Sequence, residues 1–449
     1  MPNKVVLIGA GSSQFGFGTM GDLFQSEVFT DCEIVLHDIN ADSLQRVLEA
    51  GRAFVAEHKL CHRLSATTNR QEALDGADFC IISIEVGNRF ELWEQDWHVP
   101  QQFGIRQVYG ENGGPGGLFH SLRIIPPIVD ICADIQRICP AATVFNYSNP
   151  MSRICTAVTR KFPDLNFIGL CHEIASLKRL VPKILDMPWE EMKLRAGGLN
   201  HFSVLLSATH RDTGQDLYPD ILAKAPDWFD KLPGLAELTV HLREHGQPPE
   251  SMRDLKVDPD RSIWPEREIF RIMMNEFNVF PITTDSHFGE YIQWAHDAAD
   301  LSGILDFYNY YKHHLSDVKP EIHLKLSERV VPIMEGIVTD SGYEEDAVNL
   351  PNHGVFPDLP DWLVVEVPGK VDAQGVTAIS PGTLPKAFAG LLANQVAVHD
   401  LTAEAALHGS REAVKQALMV DPVVDVYRNL DAMIDTMLSL QHEYLGYIR

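Results

Sequence analysis

The chain has 449 residues, 45% hydrophobic, 9% aromatic and 22% charged, an ordinary globular composition that excludes disorder, collagen and coiled coil and has room for two or three domains of about 150 residues. Its 62 Asp and Glu against 37 Lys and Arg leave a net charge of −25, which argues against nucleic acid or an anionic membrane as partner. Apolar runs are too short for a signal peptide or a membrane span, and seven scattered cysteines fit reduced thiols, so a soluble cytoplasmic protein is expected.

Lys4–Ile8 is a β-branched run, followed by Gly9-Ala10-Gly11-Ser12-Ser13 and by helical spacing through Met20, Leu23 and Phe24. This reads as strand, turn, helix. Further apolar runs at 33–38, 79–84, 143–145 and 166–170, with helical patterns between them, predict a doubly wound parallel sheet. Beyond about residue 195 the pattern loosens. Residues 197–209 predict a strand, 265–278 and 290–299 helices, and 361–368 a strand. The last 65 residues, from Thr383, are helical in period, broken near Gly409 and Pro422. The expected architecture is a Rossmann-type doubly wound α/β domain over 1–195, then an α+β domain over 196–449 with a helical end.

Gly9 and Gly11 allow a tight turn that brings backbone N–H groups, with Ser12 at the start of the following helix, towards a pyrophosphate. The third fingerprint position is Gln14, with glycines instead at 16 and 18. Asp38 closes the second strand, where an acid accepts hydrogen bonds from the adenosine ribose and repels a 2′-phosphate, which favours NAD over NADP. The competing reading is a β–α turn that binds nothing.

Three further segments gather unusual residues at the expected carboxyl edge of the sheet: 109–117 (YGENGGPGG), 146–151 (NYSNPM) and 169–173 (GLCHE), with 198–201 (GLNH) thirty residues on. A thiolate at Cys171 and an imidazole at His201 could share a divalent metal and leave coordination positions open. Cys61 with His58 and His62 reads as a helix face. Lactate and malate dehydrogenases also carry an Asn-Pro turn and a late catalytic His, so a hydroxy-acid or sugar-acid dehydrogenase is a rival. A thiol at 171 cannot hold an imidazolium as their Asp does, which points to a metal pair. A non-catalytic NAD-binding protein is the third class.

In this order and spacing GAGS, GPGG, NPM, GLCH and NH resemble glycoside hydrolase family 4, NAD-dependent glycosidases of lactate and malate dehydrogenase-like fold. The carboxyl half agrees: His287-Phe288-Gly289-Glu290-Tyr291, Asn349-Leu350-Pro351-Asn352, and Val365-Glu366-Val367-Pro368 with Val371-Asp372 and Gly375. The resemblance implies NAD and Mn²⁺ as cofactors, although ligand softness alone would assign a Cys–His site to zinc. It implies oxidation of the sugar at C3, removal of the C2 proton, elimination of the glycosidic oxygen, addition of water and re-reduction.

Residue by residue, the resemblance makes Cys171 and His201 metal ligands, Asn149 a contact to substrate and nicotinamide, and Glu111 a substrate contact. It leaves the base open between Tyr291 and Asp285. Phospho-α-glucosidases of the family carry an Asp after the ligand Cys, whereas this chain reads Cys171-His172-Glu173, so His172 or Glu173 would serve as acid. The triplet resembles a branch associated with α-galacturonidase activity, whose carboxylated sugar would need Arg153 or Arg261 as cation; an α-galactosidase or α-glucuronidase is the alternative. A homo-oligomer is implied, with the helical tail as interface or packed on its own sheet.

Overall fold

Alternating β-branched runs and apolar helical faces must bury two surfaces at once, and a sheet covered on both sides does so. A computed structural model describes residues 3–247, 264, 266–317, 321–326 and 328–449. Among these, β1 (Lys4–Ile8), β2 (Glu33–His37), β3 (Arg63–Thr67), β4 (Phe79–Ile82), β5 (Thr143–Asn146) and β6 (Phe167–Gly169) pair in parallel in the order 3-2-1-4-5-6. That is the Rossmann order. The sheet then continues without a break through β10 (Tyr343–Pro351), β11 (Val364–Asp372), β7 (Met192–Leu199), β8 (Phe202–His210) and β9 (Phe280–Pro281), with β12 (Gly375–Ala378) on β11. These later pairings are antiparallel. Strand β7 runs across residue 195.

One face buries Leu118, Leu122 and Ile125 from the helix Gly114–Ile138 with Ile154 and Val158 from Met151–Lys161; the other buries Met20, Leu23, Val47 and Met334 from three more helices. The carboxyl-terminal helices Arg411–Val420 and Leu430–Leu440 place Val414, Leu418, Met433 and Met437 in the first of these cores. The helical tail therefore packs on its own sheet. No helix among the described residues is long and apolar enough to cross a membrane.

Three expectations are corrected. Residues 197–209 are not one strand: Leu199 pairs with Phe202, leaving Asn200 and His201 as a two-residue turn with His201 at φ 62°, the left-handed geometry that tight hairpins require. Residues 290–299 hold only a single 3-10 turn, Gly289–Tyr291, and the short helix Ala295–Ala298. The helix Ala41–His58 ends on the left-handed Lys59, so Cys61 and His62 lie beyond it, His62 buried against Phe24. Arg261 lies outside the described residues.

Candidate active site

The turn after β1 opens on a cavity of about 740 Å³ lined by Gly9, Gly11, Ser12, Asp38 and the exposed Ile39, a size that suits a cofactor. Gly9 has φ +90°, and a Cβ there would stand 2.0 Å from the carbonyl oxygen of Ser83, so only glycine fits. The close helix packing normally secured by the third glycine falls to Gly16, where a Cβ would lie 2.7 Å from the Ala10 carbonyl. Asp38 Oδ2 accepts the Gly11 N–H at 2.8 Å and Oδ1 accepts the Asn40 N–H at 2.8 Å. The carboxylate is thereby fixed at the cavity wall with lone pairs to spare. Asp38→Ala is expected to weaken NAD⁺ binding about 10- to 100-fold, the worth of charged hydrogen bonds, and to narrow its preference over NADP⁺. Titration calorimetry with both nucleotides checks this.

A second cavity of about 790 Å³ shares Ser83, Arg89, Tyr147 and Asn149 with the first. Its walls carry Glu111, Cys171, His172, Glu173 and His201. Cys171 follows β6, and His201 occupies the β7–β8 turn. Their Sγ and Nε2 atoms lie 3.4 Å apart, the separation expected of two ligands of one ion with bonds of about 2.3 and 2.1 Å. Burial pushes the His201 imidazole well below its ordinary range, which leaves a neutral ring able to donate a lone pair. Among the described residues no third Cys, His, Asp or Glu completes a cage. The donor pair thus fits a divalent cation whose other positions face the cavity.

A row of polar groups supports this pair. Gly169 pairs with Asn349, Asn349 with Glu366, Glu366 with Gly198 and Gly198 with Ser203, one rung across five strands. The buried Glu366 carboxylate accepts from Asn200 Nδ2 at 2.7 Å, Ser203 Oγ at 3.0 Å and Asn349 Nδ2 at 3.3 Å. It therefore anchors the turn that carries His201.

Glu111 is buried, with Oε1 2.8 Å from Arg89 Nη2 and Oε2 3.7 Å from His287 Nδ1. His287 stacks on His201 with ring centroids 4.5 Å apart. Burial alone would lower His287, but Glu290 and Glu111 outweigh it and push the imidazole up to about 9. Glu290 in turn accepts the backbone N–H groups of Glu111 and Asn112, locking the two loops together. Sequence reasoning gave His287 no role, although its spacing of three from Glu290 on a short helical segment was a usable signal.

Three expected site residues do not line this cavity. Asp285 accepts the N–H groups of Ile269 and Phe270 at 2.8 and 2.9 Å and so caps the helix Glu268–Phe277. Tyr291 packs flat on Phe202 with its hydroxyl 3.5 Å from the Asn200 carbonyl. Arg153, 1% exposed, is turned inward with Asp421 at 3.9 Å. Asp285, Tyr291 and Arg153 are thus set back from the cavity wall. Arg179, which sequence reasoning passed over, lines the cavity and has no carboxylate partner among the described residues.

Two family models cover most of the chain. The family 4 glycosyl hydrolase model matches residues 4–187 and the model of that family's C-terminal domain matches residues 196–424. The chain belongs to the family 4 glycosyl hydrolases. An α-glucosidase of Erwinia rhapontici is 54% identical over the full length of both chains. An α-galacturonidase of Thermoanaerobacter italicus is 26% identical, covering 98% of this chain and 97% of its own. Among solved structures, a 6-phospho-α-glucosidase from gut microorganisms, in complex with NAD and Mn²⁺, has TM-score 0.77 at 21% identity over 98% of each chain. Malate dehydrogenase of Plasmodium falciparum shares the fold at TM-score 0.50 and 13% identity, over 92% of this chain and 99% of its own.

Proposed function

We propose that the protein is an NAD- and Mn²⁺-dependent glycosidase that cleaves an unphosphorylated α-D-glucoside. The observation that carries this reading is the junction of the two cavities at Ser83, Arg89, Tyr147 and Asn149, which opens the expected nucleotide site onto the Cys171–His201 pair. The chemistry supplied by bound NAD and Mn²⁺ is transient oxidation at sugar C3 and polarisation of the C2 and C3 oxygens. Cys171 and His201 would hold the cation, Gly9, Gly11, Ser12 and Asp38 the nucleotide, and Asn149 the sugar beside the nicotinamide. Glu111 is our candidate for the C2 base, because Arg89 and the Glu290 clasp fix its carboxylate next to His287, which stacks on a ligand. Residues 1–195 and 196–449 are read as the nucleotide and catalytic halves.

The glucoside is favoured by the 54% identical relative; of the two arginines on the cavity wall, Arg89 is paired with Glu111 and Glu85. A galacturonide is the second reading, with Arg179 in place of Arg153 as the cation for its carboxylate. The test is hydrolysis of 4-nitrophenyl α-D-glucoside, its 6-phosphate and the α-D-galacturonide, omitting NAD⁺, Mn²⁺ and reductant in turn. Nitrophenol from the plain glucoside that needs both cofactors, without NADH accumulation, is the expected result. Preference for the galacturonide supports the second reading, and stoichiometric NADH without nitrophenol indicates a dehydrogenase.

A further inference from the structure

We propose that Glu328 is the general acid that protonates the departing glycosidic oxygen. This rests on the reading that an α-glycosidic bond is broken in the second cavity. The position after the ligand cysteine, where phospho-α-glucosidases of the family carry an Asp, is His172 here, and a sugar alkoxide leaves poorly without a proton.

Three carboxyl groups line the cavity: Glu111, Glu173 and Glu328. Glu111 is ion-paired with Arg89 at 2.8 Å and is already the candidate for the C2 base. Glu173 acts on Cys171, His287 and Arg267, which puts its charge on the ligand side. Glu328 lies at the start of the segment entering the helix Val330–Thr339, with its backbone N–H donating to Asp22 Oδ2 at 2.8 Å. Its carboxyl has no ion-pair partner among the described residues. The titratable groups that face it are Asp22 from the helix Ser13–Phe24, Tyr147 from the loop after β5 and His172 from the loop after β6. Burial holds this carboxyl above its ordinary range; His172 opposes the rise and Asp22 adds to it. Tyr147 also lines the nucleotide cavity, so Glu328 stands close to where the two cavities meet.

The proton balance is simple. As the base takes the C2 proton, that C–H pair becomes the C1=C2 bond, the C1–O pair goes to the glycosidic oxygen, and the Glu328 proton completes the alcohol. Glu328, now a carboxylate, then takes a proton from the water whose oxygen bonds to C1, while the C1=C2 pair returns to C2 and takes back the proton held by the base. No outside oxidant or reductant enters this exchange.

The test compares two leaving groups on one glycone, glucose or galacturonic acid, whichever the native enzyme hydrolyses, with NAD⁺ and Mn²⁺ present. For Glu328→Gln, kcat/KM on the methyl glycoside should fall about 10²- to 10⁴-fold, while the 4-nitrophenyl glycoside, whose phenolate needs no proton, should lose less than about tenfold. Glu328→Asp should recover part of the methyl glycoside rate, and the alkaline limb of the pH profile should flatten in the Gln variant. Equal losses on both substrates, or no loss on either, overturn the assignment. A native enzyme inert on every glycoside overturns the function itself, a result distinct from either.

Discussion

Cys171→Ala is expected to lower kcat/KM on the preferred glycoside about 10³-fold or more, and to abolish any rise in melting temperature that Mn²⁺ gives the native protein. A Lewis-acid metal is worth several kcal/mol in the transition state, and each 1.36 kcal/mol is about a factor of ten. Among the described residues two protein donors converge here, at 3.4 Å, so loss of the thiolate leaves a single imidazole, too little to retain a cation at micromolar concentration. The melting curve reads metal binding apart from turnover. An undiminished Mn²⁺ shift in the variant would show that other groups hold the ion.

Arg123→Leu is expected to destabilise the fold by about 3–5 kcal/mol, the usual effect of breaking one side of a buried ion pair. Arg123 meets Asp96 through two hydrogen bonds, 2.9 and 2.6 Å, and donates to Gln441 Oε1 at 2.7 Å. Both charged side chains are almost wholly buried. The three residues tie the helix Arg89–Gln102 to Gly114–Ile138 and to the end of Leu430–Leu440. Without the guanidinium, Asp96 keeps its charge away from water. Adding Asp96→Leu to the variant should restore most of the loss, and urea melts of the single and double variants measure it.

The nucleotide half was legible because its strands are short apolar runs buried on both faces, each followed by a helix of clear period. Strand β3 escaped because Arg63–Thr67 lies at the sheet edge with no residue fully buried. Strand β10 escaped because it opens on Tyr343, Glu344, Glu345 and Asp346 and is bulged before Val348. Glu345 is buried with Arg329 at 2.7 Å and the Tyr343 hydroxyl at 3.0 Å from its carboxylate, the first a contact across the helix Val330–Thr339 that no local pattern announces. At the site, motif spacing brought Cys171 and His201 to notice, and the hairpin turn brings them together. The motif residues Asn349 and Glu366 had no stated purpose until the sheet register put them on one rung. Glu328 carries no sequence signal: it is one acid in a polar stretch, distinguished only by the cavity it faces.

That rung has a mechanical consequence. Because β6 joins β10 and β11 joins β7 within one uninterrupted sheet, the distance from the nucleotide cavity to the Cys171–His201 pair is set by strand spacing of about 4.8 Å per step rather than by two bodies free to swing. An enzyme that must return a hydride to the same carbon it was taken from gains from such a chassis. Phe307, Tyr310 and Tyr311 of the helix Leu301–Asp317 complete the cavity wall from outside that sheet.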